Sequence, residues 1–201
     1  MERAELTGLW SIQPISNLAS IAERGILCHN RAARLPHADV SMPEVQDIRR
    51  TKRVPDARIP PARWKPLHDY ANLYVCPRNP MLYKRLDRKA ELCVLRLGVD
   101  VLDLDGVIVT DGNAAGGPTR FFGAAVGIER IERDVTFAEW WTHADPYEKA
   151  EHRRRMCAEV LLPEVVPAHF INRVFVAGQE PRDACRGLPW PTQINGYMFF
   201  A

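Results

Sequence analysis

The stretch His68-Asp-Tyr-Ala-Asn-Leu-Tyr-Val-Cys-Pro-Arg-Asn-Pro-Met-Leu-Tyr83 changes its period in the middle. Tyr70 to Cys76 alternates as a strand does. Pro77-Arg78-Asn79-Pro80 interrupts it, and a short helical run begins at once, over Pro80 to Leu86. Three tyrosines, an arginine and two amides thus meet at one strand-to-helix junction. Junctions of this kind bind ligands, because the strand places aromatic faces and the helix start offers free backbone N–H groups to an anion. The alternative is a Pro-rich corner that only turns the chain.

Working outward, short strands dominate. Leu6 to Gln13, Leu92 to Leu97, Val107 to Thr110, Ala158 to Leu162 and Arg173 to Ala177 read as strands, and Asn195 to Ala201 as a last one. Ser16 caps a helix through Arg24, which Gly25 stops. Ser41-Met-Pro-Glu44 has the form of a capping box and opens a helix through about Lys52. Val54 to Pro66 is loop, Asp111 to Gly117 a turn, and Ala144 to Met156 a charged helix starting at Asp145-Pro146. With many short strands, few long helices and no βαβ cadence, the predicted class is α+β. The 201 residues are expected to form a single domain, residues 1–201.

Composition narrows the function classes. There is no apolar run of membrane-spanning length, and no apolar segment follows Met1-Glu-Arg-Ala-Glu5, so a membrane partner and a secretory leader are not expected. Five widely spaced cysteines (Cys28, Cys76, Cys93, Cys157, Cys185) form no CxxC pair and no Cys/His ligand cluster. Reduced thiols in a cytoplasmic protein without a metal are expected. Net charge is only +2, but Arg49, Arg50, Lys52, Arg53, Arg58, Arg63 and Lys65 face a single acid, Asp56, and Lys149 lies near Arg153-Arg154-Arg155. Two basic patches on a nearly neutral chain suggest a polyanionic partner; the alternative is a solvated basic loop.

Glu159 is the acid of interest. It heads an apolar run just after a basic helix end, where a partly desolvated carboxylate faces cations and can stabilise a developing positive charge or take a proton. An edge-strand glutamate facing water is the competing reading. Arg49 and Arg50 lie on a helix with Val45 and Ile48, so one can point inward, and a guanidinium in a pocket suits a diphosphate or carboxylate. Phe121 and Phe122, beside Arg120, read as core. His29 and His37 have no ligand partner at metal spacing, and no GxGxxG, GxxxxGK[ST] or GxSxG motif is present.

Taken together, these segments resemble the DarT-type ADP-ribosyltransferases, toxins that use NAD to modify bases of single-stranded DNA. The resemblance is carried by Ile15–Leu27 with His29-Asn30, by Ile48-Arg49-Arg50, and by Leu67–Tyr70 through Asn79–Tyr83. Thr110–Ala115 with Thr119–Phe122, and Cys157–Pro163, complete it in family order. It implies a split, mixed-sheet ADP-ribosyltransferase core with NAD as substrate, Glu159 as catalytic glutamate and Arg49 in the NAD pocket, Arg50 being the adjacent candidate. Ser11, Gln13, Asn17, Gly25, Tyr74, Asn79 and Tyr83 would line that pocket. Asn113, Arg120, Arg153, Arg154 and Arg155 would face DNA. A monomer paired with a macrodomain antitoxin is implied as well.

One departure stands out. Relatives often carry histidine in the first strand, in a Tyr-His-x-Thr-His pattern, where this chain has Trp10-Ser-Ile-Gln-Pro14. Ser11 and Gln13 can hydrogen-bond the same NAD groups. The expected acceptor is thymidine. The open alternatives are guanine, RNA or protein as acceptor, and a weakly catalytic nucleic-acid-binding module.

Overall fold

Leu92–Leu97, a nearly unbroken apolar run, becomes an interior strand because its flanking strands cover both edges. The computed structural model describes residues 1–201. Its strands are β1 (Leu9–Pro14), β2 (Ile26–Leu27), β3 (Tyr70–Tyr74), β4 (Leu92–Leu97), β5 (Ile108–Thr110), β6 (Phe121–Gly123), β7 (Glu159–Pro163), β8 (Val165–Val166), β9 (Ile171–Val176) and β10 (Thr192–Ile194). Eight of them form one sheet in the order β10-β9-β4-β1-β3-β7-β5-β6, while β2 pairs with β8. All neighbours are antiparallel except β9 and β10, so the sheet is mixed. The helices are α1 (Leu18–Arg24), α2 (His29–Ala32), α3 (Pro43–Thr51), α4 (Pro80–Tyr83), α5 (Ala124–Gly127), α6 (Arg133–Thr136), α7 (Pro146–Met156) and α8 (Gln179–Ala184).

Alternation divides the strands between two faces. Leu9, Leu73, Leu95, Val160 and Val174 point one way and pack with Leu18 and Ile21 of α1 in the main core. Each such fully buried side chain contributes about 1.5–3 kcal/mol of hydrophobic stabilisation. The opposite face carries two smaller clusters, one around Trp10, Val94 and Phe175, the other around Tyr70, Ile108 and Leu161. Asn72, Tyr74 and Glu159 share this face, by the period of two, with Tyr70 and Leu161.

The sheet is split. β1 pairs with β4 at six positions but with β3 only at Trp10↔Tyr74. Beyond that pair β1 and β3 diverge and a cleft opens between them, lined by residues of both strands.

Three expectations are corrected. Ser16 does not cap α1: it lies in a 3-10 turn over Ile15–Asn17, and the N-cap is Asn17, which makes no side-chain cap bond. The Ser41–Glu44 capping box does not form: Met42 is the N-cap of α3 and supplies no side-chain cap. Ser41 instead gives its N–H and its hydroxyl to the Asp39 carboxylate at 2.7 and 2.9 Å, a charged acceptor within the same turn. The tail is not a strand over Asn195–Ala201. β10 ends at Ile194, and Tyr197–Phe199 is a 3-10 turn. The reason is that the consecutive Met198 and Phe199 are both buried in the same cluster, which the alternation of a strand forbids. No helix is long and apolar enough to cross a membrane.

Candidate active site

Arg49 of α3 lines the cleft, and Glu159 of β7 is buried directly against it. Glu159 begins β7, between β3 and β5, with 1% of its surface exposed. The edge-strand alternative therefore does not apply. Its Oε2 accepts a hydrogen bond from Arg49 Nη1 at 3.1 Å, and its Oε1 accepts from the Ala114 backbone N–H at 2.9 Å. The strand is clamped at the same residue: Glu159 N donates to Thr110 Oγ1 at 3.0 Å, and that hydroxyl donates to Gly112 O at 2.7 Å. Arg49 is the inward arginine of its pair, with a side chain only 9% exposed. A buried carboxylate and a buried guanidinium are tolerable together and costly apart. Only Nη1 of Arg49 is spent on Glu159, so the other guanidinium N–H groups remain for a ligand in the cleft that Arg49 lines.

The β1 and β3 walls supply neutral polar groups. Gln13 Nε2 donates to Ser11 Oγ at 2.8 Å, which leaves the Gln13 carbonyl and the Ser11 O–H free. Tyr74 stands opposite Glu159 in the β3/β7 ladder. Burial, then the Glu159 charge, push its phenol well above the ordinary tyrosine range, so it stays a neutral donor. Asn17 is different in kind. Its amide donates to Ala38 O and accepts from Ala38 N, both at 2.9 Å, so it shapes the wall by holding the 36–42 segment. Arg85 holds the same segment from the other side, donating to Val40 O and Met81 O. Gly25 ends α1 with φ +78, and a Cβ there would meet Val166 O at 2.3 Å. Only glycine lets α1, the cleft wall and β8 come this close.

The structure gathers Ser11, Gln13, Asn17, Gly25, Arg49, Tyr74 and Asn113 around one cleft. It does not bring Arg50, Asn79 or Tyr83 there. Arg50 points outward, 3.6 Å from Asp47. Asn79 is fully buried as the N-cap of α4, its Oδ1 accepting from Met81 N and Leu82 N and its Nδ2 donating to Cys76 O. The helix start at this junction thus satisfies its own donors and has none left for an anion. Tyr83 sits in an aromatic cluster with Trp141 and Phe200.

Asn113 flanks Glu159 from the β5 side, opposite β1 and β3. Its Oδ1 accepts from Ala115 N at 2.9 Å. A backbone N–H can only donate, which fixes the amide orientation and leaves both Nδ2 protons free. Lys52 Nζ donates to Gly116 O at 2.6 Å and Thr119 Oγ1 to Asn113 O at 2.6 Å, holding this loop in place. The basic residues divide by role. Arg154 is mostly buried and binds Asp111 at 3.1 Å and Glu151 at 2.7 Å. Burial works against the Asp111 charge, but hydrogen bonds from Arg120 and Arg154 outweigh it and hold that carboxyl below its usual range. Arg120 is exposed, 2.7 Å from Asp111, and Arg155 pairs with Glu132. Arg153 makes no ion pair.

Three contributors escaped the sequence reading. The Ala114 N–H is backbone and leaves no side-chain signal. Gln46 lies one turn before Arg49 on the same face of α3, so helical spacing would have placed it in the cleft. His68 stacks on His29 with ring centres 4.0 Å apart and bonds Gln46 Oε1 through Nε2 at 2.9 Å. Burial first, then His29, Arg49 and Arg50, lower its pKa to about 4. No cluster of His, Cys, Asp and Glu is arranged to hold a metal ion.

The split mixed sheet, with a buried glutamate at the head of an interior strand and tied to an arginine, agrees with the ADP-ribosyltransferase core that the resemblance implies. The family model described as "ssDNA thymidine ADP-ribosyltransferase, DarT" matches residues 10–188, and the chain belongs to that family. It is 29% identical over 182 residues to a DNA ADP-ribosyl transferase–DNA ADP-ribosyl glycohydrolase fusion protein of Thermosipho africanus, covering 86% of this chain and 43% of that one. The chain therefore spans less than half the length of that relative. A DNA ADP-ribosyl transferase of Thermus sp. is 28% identical over 185 residues, covering 87% and 83%. The fold is that of Thermus sp. 2.9 DarT solved with ADP-ribosylated single-stranded DNA, with a TM-score of 0.80 at 23% identity over 96% of both chains.

Proposed function

We propose that this chain transfers ADP-ribose from NAD to thymine in single-stranded DNA. The observation that carries the proposal is the buried Arg49–Glu159 pair, whose arginine lines the cleft of the split sheet. The bond from ribose C1′ to the nicotinamide nitrogen breaks, its electron pair leaving with nicotinamide, and positive charge develops on the ribose. Glu159 stabilises that charge by accepting a hydrogen bond from a ribose hydroxyl. A nitrogen of the base then bonds to C1′ and its proton departs, with the Glu159 carboxylate as the nearby base. Arg49 presents its remaining N–H groups to the NAD diphosphate, while Ser11, Gln13 and Tyr74 supply the neutral hydrogen bonds that histidine gives in relatives. The base must be unstacked to reach so recessed a carboxylate, which favours single strands.

Asn113 supports a second acceptor. Its free amide protons suit a keto oxygen, and guanine carries one as thymine does. The Thermosipho relative joins a transferase to a glycohydrolase, and this supports a toxin whose mark a macrodomain antitoxin removes. The reading extends to one domain over residues 1–201, acting as a monomer in the cytoplasm; its five buried free cysteines accord with a reducing compartment.

The test is incubation with adenylate-labelled NAD and single-stranded DNA, duplex DNA, RNA and protein. Label on single-stranded thymidine is expected. Label on protein or RNA alone, or on no acceptor at all, overturns the proposal.

A further inference from the structure

The cleft leaves one exposed surface unused. Tyr83 at the end of α4, Trp140 and Trp141 in the loop between α6 and α7, and Phe200 in the tail gather into one aromatic cluster, which Tyr197 joins through Arg78. Tyr83 meets Phe200 at 5.1 Å and Trp141 at 5.4 Å, and Trp140 meets Phe200 at 5.8 Å. At its centre the Arg78 guanidinium lies 4.0 Å from the Phe200 ring and 4.8 Å from those of Trp140 and Tyr197. Arg78 also donates to Tyr197 O at 3.2 Å and to Glu139 O, so it fastens three separate segments together. Yet Tyr83, Trp140 and Tyr197 remain 45%, 48% and 62% exposed. Single exposed aromatics are ordinary, but a contiguous rigid group of them marks an interaction surface.

We infer that this cluster is a stacking platform for unstacked bases of single-stranded DNA flanking the acceptor base. The inference rests on the nucleic-acid reading of the cleft. Charge selects the occupant. Arg78 has no carboxylate partner, and Lys84 and Arg85, which follow Tyr83 in the chain, have none either; their contacts are with a thioether and with carbonyls. Beneath the exposed rings lies a guanidinium that no acid neutralises, and an exposed Lys84 follows Tyr83 in the chain, a combination that complements a polyanion whose bases carry π faces. Position agrees. Met81 of α4 lines the cleft, and Tyr83, two positions on and so turned to the other side of that one-turn helix, carries the platform, which therefore lies about one helix width from the cleft. A strand whose reacting base enters the cleft can lay its neighbours on these rings.

The test is equilibrium binding, without NAD, of a fluorescein-labelled single strand with one central thymidine. The same strand with abasic positions on either side of that thymidine is the control. Trp140→Ala and Tyr197→Ala are each expected to weaken the intact strand about five- to a hundredfold. They should leave the abasic strand nearly unaffected and keep the slope of log affinity against log salt, because no phosphate contact is lost. Trp140→Phe should restore most of the binding. Thermal melting checks that these half-exposed substitutions leave the fold intact. The inference is overturned if a variant carrying both Trp140→Ala and Tyr197→Ala binds the intact strand as wild type does, as it would if the rings served a protein partner, or if both strands weaken alike. Those results leave the transferase reading standing. Wild type that binds the strand and loses it on Trp140→Ala, yet transfers nothing from NAD, supports the platform and overturns the transferase alone.

Discussion

Arg49 and Glu159 are 110 residues apart in the chain and 3.1 Å apart in the fold. The guanidinium reaches both carboxylate oxygens, Oε2 at 3.1 Å and Oε1 at 3.4 Å, and the Ala114 N–H also donates to Oε1, which fixes the direction of the carboxylate before any substrate arrives. Glu159→Gln keeps the shape and removes the charge. Transfer from NAD should fall by about a thousandfold or more. The fold should lose about 3–5 kcal/mol, since Arg49 is left buried without its anion. Labelled-NAD transfer and urea denaturation measure the two effects. Activity within tenfold of wild type removes Glu159 from the chemistry.

Asn113 offers only donors to whatever lies beside Glu159, because its oxygen is held by Ala115 N. Keto bases, thymine and guanine, should be preferred to amino bases, cytosine and adenine. Asn113→Asp replaces donors by acceptors, and the preference for thymine over cytosine should drop about tenfold or more. The ratio of kcat/KM between two strands is the quantity to measure, since a general loss of rate cancels. An unchanged ratio means that another group chooses the base.

The basic helix α7 should separate by residue. Arg154 is gripped by Asp111 and Glu151, so Arg154→Ala should cost about 2–4 kcal/mol and loosen the Asn113 loop. Arg153 has no acid partner, so Arg153→Ala should leave stability within about 0.5 kcal/mol. It should lower the salt slope of DNA binding by about one. Melting curves and a salt titration distinguish the two; a stable Arg154→Ala would contradict the geometry.

His68 titrates near 4 in the fold and at its ordinary 6.5 when unfolded. Between these values the unfolded chain holds the extra proton, so stability falls as pH drops through this window and levels off below it. The contribution is about 3 kcal/mol at most. The difference in denaturation midpoint between pH 7 and pH 4.5 should shrink in His68→Asn. An equal difference in both proteins would place the pH dependence elsewhere.

Gly25→Ala asks for a methyl group at a left-handed φ and 2.3 Å from Val166 O. A loss of about 2–4 kcal/mol is expected, with weaker NAD binding because the wall of the cleft must shift. Calorimetry and NAD titration check both. A variant as stable as wild type would show that β8 can move away.

Much of this was legible in the sequence, and the gaps have physical causes. The apolar strands, and that one arginine of the Arg49–Arg50 pair turns inward, follow from periodicity; that it is Arg49 was implied by the family resemblance, and Glu159 stood out as an acid at the head of an apolar run. Asn79 and Tyr83 looked like pocket residues because a polar side chain at a strand-to-helix junction either binds a ligand or caps the helix, and composition does not say which. The cap won at Asn79. Arg153, Arg154 and Arg155 read as one basic run, yet successive helical residues point about 100° apart, so one turned inward to Asp111 while its neighbours did not. The tail looked like a strand from its aromatics and became a 3-10 turn because two adjacent residues had to be buried on one side.

The single Trp10↔Tyr74 pair gives β1 an unusual double character. By position it is an inner strand; by bonding it has, past Trp10, one side without a ladder. Backbone groups on an open edge are an invitation to another strand, and proteins ordinarily blunt such edges to avoid aggregation. Here the edge is internal, shielded by Asn17, Arg85 and the segment they hold across it. What the fold has made is an edge turned inward, opening into the cleft rather than onto the outer border of the sheet.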